Sequence, residues 1–83
     1  MLGAIAGRTE ALLLAVAAGR CGISGGSEPD LFVDNLPFCD QYTAHAVCHA
    51  GLVHAVERVS IDRRTRAELT AEGRAVLASL PGA

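Results

Sequence analysis

Leu52-Val53-His54-Ala55-Val56-Glu57-Arg58-Val59-Ser60-Ile61-Asp62-Arg63-Arg64-Thr65-Arg66-Ala67-Glu68-Leu69 is the stretch on which the fold of this chain turns. Two periodicities compete in it. Leu52, Val56 and Val59 fit one face of a helix, whereas Val53, Ala55, Val59 and Ile61 alternate as in a strand, interrupted by Glu57. The β-branched Val53, Val56, Val59 and Ile61 favour the strand, where a branched side chain loses less rotamer freedom. In that reading Asp62 to Thr65 form a loop and Arg66 to Leu69 a returning strand. No glycine or proline marks the loop, so periodicity alone leaves both readings open.

The flanks are clearer. Downstream, Thr70 is an N-cap, Glu72 complements the positive helix end, and Val76, Leu77 and Leu80 form a buried stripe before Pro81-Gly82 stops the helix. Upstream, Asp40 caps a helix of about Gln41 to Ala50, ended by Gly51. Ala44, Val47 and Cys48 share one face of it; Gln41, His45 and His49 share another at spacings of four. Earlier still, Ser27-Glu28-Pro29-Asp30 reads as a helix start. The short helix it predicts, about Pro29 to Asn35, buries Leu31, Phe32 and Val33 and stops before Pro37. Gly25-Gly26-Ser27 is a turn, and Cys21 to Ser24 is an extended piece. The first helix runs from about Ala4 to Ala18, with Ile5, Leu12, Leu13, Leu14 and Val16 widening its apolar stripe and Gly19 closing it.

Eighty-three residues make one domain with a thin core, aliphatic because Phe32, Phe38 and Tyr42 are the only aromatics. A core of that size makes a homodimer the expected state. The net charge is −2, and all seven cations are arginine, four of them (Arg58, Arg63, Arg64, Arg66) within nine positions. Cys21, Cys39 and Cys48 are an odd number, which fits reduced thiols in the cytoplasm better than a disulfide scaffold. The apolar run Ala11–Ala18 has eight residues, abuts Glu10 and is far short of the ~20 a membrane span needs. It is read as helix rather than leader, and no membrane partner is expected.

The order helix, extended piece, short helix, turn, helix, hairpin, helix resembles the winged helix-turn-helix family of bacterial regulators. Ala50-Gly51-Leu52-Val53 looks like the end of a recognition helix. Arg66 to Leu77 (RAELTAEGRAVL) is similar to the wing-exit strand and following helix of MarR-like proteins, with their L-T-x-x-G-R pattern. The likeness spans about residues 10 to 80 and resolves the 52–69 ambiguity in favour of a hairpin. It implies an α+β, mainly helical fold: a three-helix core, a two-stranded wing and a C-terminal helix. Double-stranded DNA is then the implied partner and transcriptional regulation the role. Helix 41–50 would enter the major groove with Gln41, Tyr42, His45 and His49 facing bases, while Arg58, Arg63, Arg64 and Arg66 approach phosphates. Alanine, glycine and arginine usage without lysine accords with a G+C-rich bacterial or phage gene.

A second reading is a winged-helix-like module for protein interaction or self-assembly. It is favoured by the absence of Arg and Lys from helix 41–50 and by the dilution of the arginines with Glu57, Asp62 and Glu68. His45 and His49 have a chelating spacing, but no CxxC pair accompanies them, so neither metal nor cofactor is expected. No G-x-S-x-G, phosphate-cradling loop or paired-carboxylate motif is present, and no catalytic residue is assigned.

Overall fold

The computed structural model describes residues 2–80. Its elements are α1 (Leu2–Ala17), β1 (Cys21–Ser24), β2 (Leu31–Val33), β3 (Leu36–Pro37), α2 (Gln41–His49), β4 (Val53–Ala55), β5 (Arg64–Leu69) and α3 (Ala71–Ser79). The strands form one antiparallel sheet in the order β3-β2-β1-β5-β4. The three helices cover one face of it. Leu12, Leu13 and Val16 of α1 and Ala44 and Val47 of α2 meet Cys21, Ile23, Leu31, Val53, Ala67 and Leu69 from the sheet in a single core.

Local chemistry explains where the helices begin and end. The Asp40 carboxylate accepts the Thr43 amide at 3.1 Å and the Thr43 hydroxyl at 2.6 Å, capping α2. Thr70 Oγ1 accepts the Gly73 amide at 3.0 Å and caps α3. Both α1 and α2 end in the paired hydrogen bonds of a left-handed glycine cap: Gly19 N to Val16 O with Arg20 N to Ala15 O, and Gly51 N to Cys48 O with Leu52 N to Val47 O. The expected stop at Pro81-Gly82 lies outside the described residues.

The 52–69 stretch is a hairpin, β4 pairing with β5 through Val53↔Leu69, His54↔Glu68 and Ala55↔Ala67. Its loop is longer than the expected Asp62–Thr65. The Val56 amide still donates to Arg66 O of β5 at 2.9 Å, and from there residues 56–63 run as a loop folded against the β1–β2 turn, where the Gly25 amide donates to Arg63 O at 3.2 Å. A Cβ on Gly25 would collide with the Val59 carbonyl oxygen, so the turn accepts this loop only as glycine. The hairpin does not stand free as a two-stranded flap: β5 also pairs with β1, through Gly22↔Arg66, Ile23↔Thr65 and Ser24↔Arg64.

The helix expected over Pro29 to Asn35 is absent. β2 and β3 form a tight hairpin there, so α2 is preceded by strands and the first helix of the expected helix-turn-helix is not made. Asp34 and Asn35 take positive φ of 53° and 70°, the left-handed pair that a two-residue turn requires and that these residue types tolerate best. Leu31, Phe32 and Val33 gain ladder bonds to β1, and Asp34 N donates to Arg20 O at 3.0 Å. These long-range bonds outweigh the capping signal at Ser27. Pro37 suits β3 because an edge strand can spare an amide donor.

One junction joins α2, the hairpin and α3. Thr70 N donates to Leu52 O at 3.0 Å, and Thr70 Oγ1 donates to Gly51 O at 2.6 Å. Gly73 is buried against the same strand, and a Cβ there would strike the Leu52 carbonyl oxygen. Gly73→Ala is therefore expected to cost about 1–3 kcal/mol of stability through forced backbone displacement. Gly7→Ala, on α1 with open space around it, should be neutral or gain about 0.5–1 kcal/mol. Urea denaturation followed by circular dichroism measures both, and equal midpoints would remove the junction from this account.

Candidate nucleic-acid interface

The outer face of α2 carries little that attracts phosphate. Gln41 is turned inward: its Nε2 donates to Phe38 O at 2.6 Å and reaches Leu31 O at 3.4 Å, tying the helix to the β2–β3 hairpin. Gln41 Oε1 is buried without a hydrogen-bond partner among the described residues. Tyr42 is 86% exposed. His45 Nε2 lies 3.2 Å from Asp30 Oδ1, and His49 Nε2 lies 3.5 Å from Glu28 Oε2. The face expected to meet bases thus presents one tyrosine and two histidines, each histidine beside a carboxylate.

The arginines are distributed differently. Ala67 and Leu69 of β5 enter the core, so Arg64, Arg66 and Glu68, which alternate with them, project from the opposite, uncovered face of the sheet. Arg64 and Arg66 therefore point away from the layer that contains α2. Arg58 and Arg63 sit in the 56–63 loop. Arg58 borders a cleft of about 480 Å³ together with His49, His54 and Glu57, between the end of α2 and β4. Arg63 is exposed beside the β1–β2 turn. The eight residues singled out by sequence are not brought together on one surface.

The uncovered face has its own constellation. Gly22 sits mid-strand in β1, between the buried Cys21 and Ile23, and its register partners are Phe32 on one side and Arg66 on the other. With no side chain at Gly22 and only Ser24 beside it, Arg64 reaches across β1 and lays its guanidinium 3.9 Å over the Phe32 ring. Arg66 Nη2 is 3.6 Å from Glu68, and Arg20 joins Asp34 through bonds of 2.6 and 3.2 Å. Arg20, Gly22, Phe32, Asp34, Arg64 and Arg66 line a shallow groove of about 530 Å³.

Sequence reading missed Arg20, Gly22 and Phe32. Arg20 belongs to no motif in the sequence, and Phe32 is expected on a buried helix face, whereas it is half-buried on the open sheet. The available signal was Gly22, because a glycine inside a strand gives up packing and strand propensity and so marks a position kept free of a side chain.

Burial pushes the Cys48 thiol up to about 11 and raises Cys21 as well, leaving little thiolate at neutral pH. Among the described residues no group of three or more His, Cys, Asp or Glu side chains is placed to hold a metal ion. No helix among them is long and apolar enough to cross a membrane. Comparison with known proteins gives no match to a protein-family model, a curated protein or a solved structure.

The Arg20 hydrogen bond and charge hold the Asp34 carboxyl below its usual range. Asp34 therefore adds stability above that range and loses it as pH falls through its own lowered value. In Arg20→Ala the Asp34 carboxyl should titrate near the ordinary ~3.9. Carbon-detected NMR titration reads the shift; an unchanged Asp34 would show that the pair does not form in solution.

Proposed function

We propose that this chain is a small nucleic-acid-binding protein of winged-helix type that contacts DNA through the arginines of its open sheet face. The observation that carries the reading is the convergence of Arg20, Arg64 and Arg66 around one groove in a chain whose net charge is −2. Nucleic-acid affinity comes chiefly from neutralised phosphates, so the local distribution of arginine decides where contact occurs and the total charge does not. The winged-helix likeness is supported by helix α2 followed directly by the β4–β5 hairpin, by β1 closing against β5, and by α3 leaving β5 through the Thr70 cap. A regulatory role belongs to the same proposal. Insertion of α2 into a major groove receives no support from its surroundings, since Glu28 and Asp30 stand beside His49 and His45.

A second reading, self-assembly without nucleic acid, is favoured by an apolar groove of about 540 Å³ between α1, β5 and α3, where Leu14 is 47% exposed beside Val16, Leu69 and Leu77. In that case Leu14→Glu should shift the mass read by light scattering from dimer to monomer, and a monomeric wild type would dispose of the reading.

The nucleic-acid reading is tested by fluorescence anisotropy with labelled DNA, both annealed and single-stranded, at two salt concentrations. Binding should weaken steeply with salt. Arg64→Ala with Arg66→Ala should raise Kd about tenfold or more and reduce the salt slope by roughly two, one for each lost phosphate contact. Tyr42→Ala with His45→Ala should leave Kd within about twofold, the change expected of residues that touch no phosphate. Absence of binding to either form at low salt would overturn the proposal, and loss of binding in the α2 variant would return the contact to that helix.

A further inference from the structure

The groove above Gly22 is built for more than phosphate. Its long wall is the Arg64–Phe32 stack, a flat cationic surface lying over an aromatic ring. Its floor is bare backbone, because the residue in the middle of the central strand has no side chain. Its far side carries Arg66, and its end carries Arg20. A glycine at this position sacrifices strand propensity and packing, and neither neighbour demands it: a Cβ on Gly22 would lie 3.5 Å from Thr65 O, an ordinary contact. The backbone conformation does not demand it either, since Gly22 is outside the positive-φ residues. What the missing side chain leaves is room beside a stacking surface.

We infer that this groove takes a single strand of nucleic acid, one base lying on the Arg64–Phe32 stack over Gly22 while Arg66 and Arg20 hold the flanking phosphates. The inference rests on the nucleic-acid reading above and specifies its form. Arg20, Arg64 and Arg66 outnumber the two carboxylates beside them, Asp34 and Glu68, so charge complementarity selects a polyanion, and the stack selects one with exposed planar faces. A duplex keeps those faces inside, so it offers this groove only its phosphates. At about 530 Å³ the groove falls in the range of small-ligand sites, on the order of 300–1,000 Å³, which suits a single nucleotide unit. Stacking combined with arginine contacts on a strand is the general chemistry of sequence-tolerant single-strand binding.

The test uses the full chain and a fluorescein-labelled oligothymidylate of about twelve nucleotides, within the ~4–16 nucleotides that single-strand sites cover. The same oligomer annealed to its complement is the second probe. Wild type should bind the single strand about tenfold or more tighter than the duplex. Gly22→Val fills the floor with a side chain suited to a strand and should weaken single-strand binding about tenfold without changing the salt slope, because no charge is lost. Phe32→Leu should do the same through the lost ring. Arg66→Gln, on an exposed side chain, should weaken binding and also lower the slope by roughly 0.7, the share of one phosphate on a single strand. Circular dichroism establishes that each variant is folded; if Gly22→Val is not, Phe32→Leu and Arg66→Gln carry the test. Duplex binding as tight as single-strand binding, with arginine dependence intact, would overturn this inference and leave the nucleic-acid reading standing. Unchanged single-strand affinity in the folded groove variants would also overturn it. Absence of binding to either probe would overturn both.

Discussion

The Leu52 carbonyl, held by the Thr70 amide and covered by Gly73, is the point where three elements meet. The end of α2, the first residues of the hairpin and the start of α3 are fixed there within one hydrogen-bond length. The consequence reaches along the sheet. Anchoring Leu52 to Thr70 sets Val53 opposite Leu69 and Ala55 opposite Ala67, and that register directs Val53, Ala67 and Leu69 into the core. A slip of one residue would turn every side chain of β5 over, putting Arg64 and Arg66 against Leu12 and Leu13. The position of the arginines follows from packing at the opposite end of their strand.

That register also sorts charge. On the helical side, Glu28 and Asp30 lie beside the histidines of α2 and Asp40 caps its start, while the uncovered sheet face carries Arg20, Arg64 and Arg66 against Asp34 and Glu68. A net charge of −2 is compatible with a locally positive groove because three arginines, Arg20, Arg64 and Arg66, stand there against two carboxylates, Asp34 and Glu68. Exposed ion pairs such as Arg20–Asp34 add little stability, but they orient guanidinium groups along the groove. The Arg64–Phe32 stack orients another without using an acid.

The elements whose signals lie within a few residues were legible in the sequence. The Asp40 and Thr70 caps, the glycine stops at Gly19 and Gly51, and the apolar stripe of α1 each depend on neighbours one to five positions away, which is the range of helix hydrogen bonding. The hairpin over residues 52–69 followed from β-branching together with the winged-helix resemblance, but its bounds did not: Val56, Val59 and Ile61 lie in the loop, and Arg64 and Thr65, expected in the loop, pair with β1. Tertiary structure alone decided the rest. Residues 29–35 carry a sound helix-start signal, yet ladder bonds to β1 and the left-handed Asp34-Asn35 pair make them a hairpin. Arg64 and Arg66 were recognised as candidates, but their direction depends on strand register, and Arg20, Gly22 and Phe32 join them only because β1 pairs with β5 from the far half of the chain. Periodicity shows which residues alternate; which of the two faces is buried is settled by where the helices come to rest.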